Sequence, residues 1–176
     1  MKSDFLRIKT ADIYISVPEE EEAAKEFWGP LQVINQGKGG LGDRLCFIYT
    51  NLKKRYDKII FMGADSPQFG FDDYIKWIEQ TKGSSKSLIG PALDGGFYLF
   101  SSGEILDESL WLDIEYSTEK TCSDLEAGLT KRKMNVSFLD KSFDVDNLKD
   151  INMLLEHLEE SDFKKQVSQY FADFID

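Results

Sequence analysis

The run Ile59-Ile60-Phe61-Met62-Gly63-Ala64-Asp65-Ser66-Pro67 constrains this chain more than any other stretch. Four consecutive apolar residues predict a strand covered on both faces, the pattern of a sheet with helices on either side. Gly63 and Ala64 keep the backbone slim where that strand ends, Asp65 follows, and Pro67 stops the strand from continuing. A carboxylate delivered to the C-terminal end of a buried strand lies where open α/β sheets bind ligands. Read in isolation, Asp-Ser-Pro equally suits a turn in which Asp65 caps its own loop.

The rest of the chain alternates strand and helix patterns. Ile13–Val17 predicts a strand ended by Pro18, and the acidic run Glu19–Glu22 a helix start, with Ala23, Ala24, Phe27 and Trp28 turned inward as far as Gly29-Pro30. Leu31–Asn35 reads as a short strand. Leu41, Leu45, Ile48, Tyr49 and Leu52 then fall at helical spacing, and so do Phe71, Tyr74, Ile75 and Ile78. Ser87–Gly90 and Phe97–Phe100 are two further strands. Ser117 or Thr118 can cap a helix through Cys122, Leu125 and Leu129, and Asn135–Leu139 is the last strand. Asp146 stands where it would cap a helix carrying Leu148, Ile151, Leu154, Leu155 and Leu158. A final helix sets Phe163, Val167, Tyr170, Phe171 and Phe174 on one stripe. Such alternation predicts one α/β domain over residues 1–176, three layers deep, with a mainly parallel sheet.

Composition narrows the function. A net charge of −11 argues against nucleic acid or an anionic membrane as the main partner. No apolar run approaches the ~18 residues of a membrane span, and Met1–Phe5 has no signal-peptide character, so a cytoplasmic protein is expected. Cys46 and Cys122 form no CxxC and are expected as buried, reduced thiols. The one histidine, His157, falls on the polar side of its helix and reads as a surface residue.

Three other stretches carry possible chemistry. Gly37-Lys38-Gly39-Gly40-Leu41-Gly42-Asp43-Arg44 is a glycine-rich loop entering a helix. It matches neither a Walker A nor GxGxxG. Its N–H groups could approach a phosphate at the helix N-terminus, or it could simply turn strand into helix. Asp94-Gly95-Gly96 links two strands, as a hairpin turn or with Asp94 facing a ligand across slim backbone. Asp144-Val145-Asp146 points two carboxylates the same way in extended backbone, a pattern that suits Mg²⁺ or Mn²⁺, with helix capping by Asp146 as the competing reading.

Taken in order, Gln36-Gly37…Leu41-Gly42-Asp43-Arg44-Leu45, Gly63–Pro67, Gly90–Leu99, Tyr116-Ser117-Thr118 and Asp144-Val145-Asp146 resemble one family. It comprises small bacterial GT-A-type nucleotide-diphospho-sugar transferases, also known as domain of unknown function 2064 or selenodomain-associated transferase 1. More distant relatives include nucleotidyltransferases such as 2-phospholactate guanylyltransferase. The likeness spans roughly residues 12 to 158. It implies a Rossmann-like GT-A sheet and a nucleotide-sugar ligand, with Asp65, Asp144 and Asp146 toward a divalent metal, Mg²⁺ or Mn²⁺. It further implies a catalytic Asp94 beside substrate-facing Gly95 and Gly96. Gly39, Gly40, Gly42, Asp43, Arg44, Ser66, Ser117 and Thr118 complete the candidate substrate contacts. The family's opening strand and nucleotide-binding loop have no match in Met1–Ala11, so the domain is expected to lack its first strand.

Sugar transfer from a nucleotide-diphosphate donor is the reading that follows. Its alternatives are a nucleotidyltransferase of the same fold, or a non-catalytic paralogue acting as a binding or assembly protein. An exposed sheet edge would favour a homodimer.

Overall fold

A computed structural model of the protein describes residues 2–18 and 21–172. Glu19, Glu20 and Phe174, named above in two helix patterns, lie outside the described residues. The elements run α1 (Lys2–Arg7), β1 (Tyr14–Val17), α2 (Glu21–Trp28), β2 (Gln32–Asn35), α3 (Leu41–Lys53), β3 (Ile59–Met62) and α4 (Phe71–Thr81). They continue with β4 (Ser87–Pro91), β5 (Phe97–Ser102), α5 (Glu108–Leu112), α6 (Thr121–Lys131), β6 (Val136–Phe138), α7 (Leu148–His157) and α8 (Asp162–Tyr170).

The strands form a parallel pair, β1-β2, and a four-stranded sheet in the order β3-β5-β4-β6. In the larger sheet β3, β4 and β6 run the same way, while β5 is antiparallel to both neighbours. The expected parallel bias therefore holds for three of those four strands. β5 reverses because only the short Asp94–Gly96 turn joins it to β4, and a link that short permits only an antiparallel partner. The pair β1-β2 is hydrogen-bonded separately from the larger sheet. A chain of hydroxyls ties the two regions: Tyr14 and Tyr56 hydroxyls lie 2.9 Å apart, and Tyr56 donates to Asp12 Oδ2 at 2.7 Å.

Both faces of β3 are covered, as its apolar run predicts. Ile59 and Phe61 join Tyr49, Phe100, Trp111, Leu125 and Leu129 under α3, α5 and α6. Ile60 and Met62 turn the other way, toward Tyr74, Trp77, Ile78 and Leu99 beneath α4. The result is the expected three-layer α/β/α arrangement.

Several local expectations are corrected. Among the described side chains of α2 only Ala24 is buried, while Ala23 is exposed and Phe27 is 72% exposed. The two strands beneath α2 offer Val17 and Val33, a strip that one i, i+4 row covers, Ala24 with Trp28. The α7 cap is Asn147, whose side chain accepts from Lys149 N at 2.9 Å, and not Asp146. Asp150 closes that turn by accepting the N–H groups of Asp146 and Asn147. α6 starts at Lys120 without a side-chain cap, although the Thr118 hydroxyl accepts Lys120 N–H. α5, whose pattern is weak in the sequence, carries Trp111, which is fully buried; five residues are too few for a period to show. Cys46 and Cys122 are free and half-buried. No residue of α8 is buried; of its stripe Phe163 and Tyr170 are exposed, while Val167 and the following Phe171 are half-buried.

Candidate active site

Three chain segments meet at the C-terminal end of β3. The first is Gly63–Gln68. Gly63 N donates to Tyr98 O at 2.9 Å, which carries the β3–β5 ladder one step past the strand. The Asp65 side chain then folds back over Gly63: a Cβ placed there would meet Asp65 Oδ1 at 2.8 Å. A side chain at Gly63 would therefore displace the Asp65 carboxylate from this position.

The second segment is the Asp94–Gly96 turn. Ala92 N donates to Gly96 O, and Asp94 Oδ1 accepts Gly96 N–H at 2.8 Å, so Asp94 shapes its own turn while remaining exposed. Gly95 has φ +94° and lies directly on the Glu119 backbone, leaving no space for a side chain. Its carbonyl accepts Cys122 N–H at 2.8 Å, fastening the turn to the start of α6.

The third segment, residues 142–146, extends β6 across the end of β4. Ala92 and Ser142 bridge in parallel, with Ser142 N donating to Pro91 O and Leu93 N donating to Ser142 O. Two residues further along both chains stand Asp94 and Asp144. On the opposite edge Val145 N donates to Asp65 O at 2.9 Å, and Ser66 Oγ donates to Asp144 Oδ1 at 2.6 Å. Backbone pairing on both edges therefore gathers Asp65, Asp94, Asp144 and Asp146 from positions up to 81 residues apart in the sequence.

Electrostatics records the gathering. Burial pushes the Asp144 carboxyl above the usual carboxylate range; the Ser66 hydroxyl opposes this, and the charges of Asp65, Asp94 and Asp146 reinforce it. Asp144 is half-buried, whereas Asp65 and Asp146 are exposed. Among the described residues, no three His, Cys, Asp or Glu side chains converge tightly enough to cage a metal ion by themselves. The donors are hard carboxylate oxygens that repel one another, and that fits a Mg²⁺ or Mn²⁺ ion completed by phosphate oxygens and water.

The other sequence candidates make local contacts of their own. Ser66 is 3% exposed and is spent on Asp144. In the glycine-rich loop, Asp43 accepts Gly40 N–H at 2.8 Å and Arg44 Nε donates to Gly39 O at 3.0 Å, so both side chains brace the loop. Gly42 is buried, because a Cβ there would lie 2.5 Å from Trp111 O and 2.8 Å from the Tyr116 ring. The 115–119 loop, with Ser117 at φ +61°, is held by Thr118 and Thr121 hydroxyls on Glu115 O. It touches Gly42 through Tyr116 and Gly95 through Glu119, and so joins the glycine-rich loop to the Asp94 turn. An open cleft of about 670 Å³ lies along α3 between Gly37-Lys38 and Leu106. His157 is exposed, with Nδ1 2.8 Å from Met153 O. Gln68 is absent from the sequence candidates; its only signal was its place one residue after Pro67.

Residues 5–118 match a protein family described as an uncharacterized protein conserved in bacteria, DUF2064. The chain belongs to this family. No curated protein matches this DUF2064 chain. Among solved structures, it resembles the 1.90 Å crystal structure of a "putative nucleotide-diphospho-sugar transferase" from Desulfovibrio desulfuricans G20. The TM-score is 0.83 and the identity 22%, over 97% of this chain and 78% of that one. At that identity the likeness is one of fold, and it places this DUF2064 chain among mixed α/β proteins of that architecture.

Proposed function

We propose that this protein transfers a sugar from a nucleotide-diphosphate donor at the carboxylate cluster. The observation that carries the reading is the meeting of Asp65, Asp94 and Asp144 at the C-terminal end of β3, in a fold shared with a protein of that name. Asp65 and Asp144 are the proposed holders of Mg²⁺ or Mn²⁺, with Asp146 beside them. When bound, that ion supplies positive charge to the diphosphate as it departs.

The chain's own residues do the rest. Ser66 holds Asp144 in place with its hydroxyl. Asp94 is exposed and fixed by Gly96 N–H, and it is the proposed contact to the acceptor hydroxyl. Gly95 and Gly96 let a substrate approach the backbone. Holding the two reactants in line adds to the catalysis that the charge supplies.

The test is a thermal-shift titration with UDP, GDP, CTP and sugar nucleotides, each with Mn²⁺ or Mg²⁺. The midpoint is expected to rise for at least one nucleotide with metal, and the rise to vanish in Asp65→Ala. No rise for any pair would overturn the reading. Release of a free sugar or glycoside would place the chemistry at the sugar, and release of pyrophosphate from a triphosphate would make the enzyme a nucleotidyltransferase.

A further inference from the structure

Residues 142–145 are hydrogen-bonded on one side to the end of β4, where Ser142 bridges Ala92, and on the other to the turn after β3. On the β4 edge the backbone of Ser142 makes two hydrogen bonds. On the other edge Val145 N–H reaches Asp65 O, and the carbonyl of Phe143 is met by a side chain. Gln68 Nε2 donates to Phe143 O at 2.5 Å and to Ser142 Oγ at 2.9 Å. The Gln68 amide thus stands where a neighbouring strand would put a backbone N–H. Its Oε1 is buried and without a hydrogen-bond partner.

That orphan acceptor is informative. A buried carbonyl oxygen without a partner is a net cost, so the amide orientation is dictated by its two donor bonds. Phe143 is itself pinned, 6% exposed, with its ring edge-on to His157 at 5.0 Å. The next residue is Asp144.

We infer that Gln68 is a positioning residue: it ties the backbone of segment 142–145 to the turn after β3 and thereby holds the Asp144 carboxylate beside the turn that carries Asp65. Ser66 acts on the carboxylate directly, and Gln68 acts one step back, on the backbone that carries it. The inference rests on the proposed role of Asp144 in holding a metal.

Gln68→Met tests it, since Met keeps the length while removing both the donors and the unpartnered acceptor. Hydrogen exchange at Val145 N–H is expected to quicken at least tenfold while the amides of Leu99 and Phe100 keep their protection. The dissociation constant for Mn²⁺ alone, read from the free-ion resonance signal, is expected to rise at least fivefold. The thermal midpoint is expected to fall by no more than about 4 °C, because removing the unpartnered Oε1 offsets part of the cost of leaving the Phe143 carbonyl without its donor; the Mn²⁺ affinity is the readout that a merely structural residue would leave unmoved. Unchanged Val145 exchange, or protection lost equally along the β4–β5 ladder, would overturn the proposal. A parent protein that takes up no Mn²⁺ would overturn the metal reading instead, and Val145 exchange would then alone decide the role of Gln68. Should Gln68→Met fail to fold, Gln68→Glu, which sets a carboxylate against the Phe143 carbonyl, is read by the same exchange criterion.

Discussion

Ser66 and Asp144 stand 78 positions apart in the chain, and their side chains meet at 2.6 Å. A buried hydroxyl spent on a half-buried carboxylate is an investment in orientation, because the carboxylate would be better solvated without the burial. The hydroxyl proton of Ser66 is thereby committed to Asp144.

Neutralising Asp144 should separate stability from binding. Asp144→Asn keeps an oxygen for the Ser66 hydroxyl and removes the repulsion from Asp65, Asp94 and Asp146. The thermal midpoint should hold or rise, by roughly 2–4 °C for each kcal/mol of relief in a chain of this size. The metal-dependent nucleotide shift should disappear. A melting curve with and without nucleotide and Mn²⁺ checks both.

Gly63→Ala should damage the site and spare the fold. The new Cβ would fall 2.8 Å from Asp65 Oδ1, and the flexible carboxylate is what must move. A stability change within about 1 kcal/mol is expected, with metal affinity falling severalfold. Denaturant melts and a Mn²⁺ titration measure the two effects.

Gly95→Ala should do the reverse and break the fold locally. Its φ of +94° is strained for an L side chain, and the Cβ would run into the Glu119 backbone, which has no freedom to yield. A loss of about 2–4 kcal/mol is expected, typical of an overpacked, wrong-handed site. Chemical denaturation gives the value directly.

Acid stability should depend on Asp107. Arg132 grips its carboxylate in a bidentate pair at 2.6 and 2.8 Å, and with the Ser109 hydroxyl and Leu110 N–H holds it well below the usual carboxylate range. A depressed folded value adds stability that is present above the unfolded value, near pH 4, and is lost as the pH falls through the folded one. Asp107→Asn should therefore lower the thermal midpoint modestly at pH 7, discounted because Asp107 is 59% exposed, and flatten its decline below about pH 4, so that the two proteins converge in acid. Melting curves from pH 2 to 7 check the slope.

The order and type of nearly every strand and long helix were legible in the sequence, for one physical reason. The Ile59–Met62 run, the 3.6-residue spacing of Leu125 and Leu129, and the glycines flanking Asp94 are each satisfied by neighbours close in the chain or by one buried face. The same locality misled at Asp146. An aspartate before an amphipathic run looks like a cap, and only the built turn shows Asn147 taking that place with Asp150 behind it. Trp111 lies in a stretch whose pattern is weak in the sequence, because α5 is too short to display a period, although the core closes around it.

The sequence alone named the carboxylates Asp65, Asp94, Asp144 and Asp146, because each sits at the end of a recognisable strand or turn. What holds them was decided in three dimensions. Ser66 turned inward, Gln68 took the part of a missing strand, and Gly42 was claimed by Trp111, since each depends on which distant segment arrives beside it. Apolar period and turn chemistry are properties of a few adjacent residues. The hydrogen bonds between residues 65–68 and 142–145 exist only after the sheet has brought both to one end.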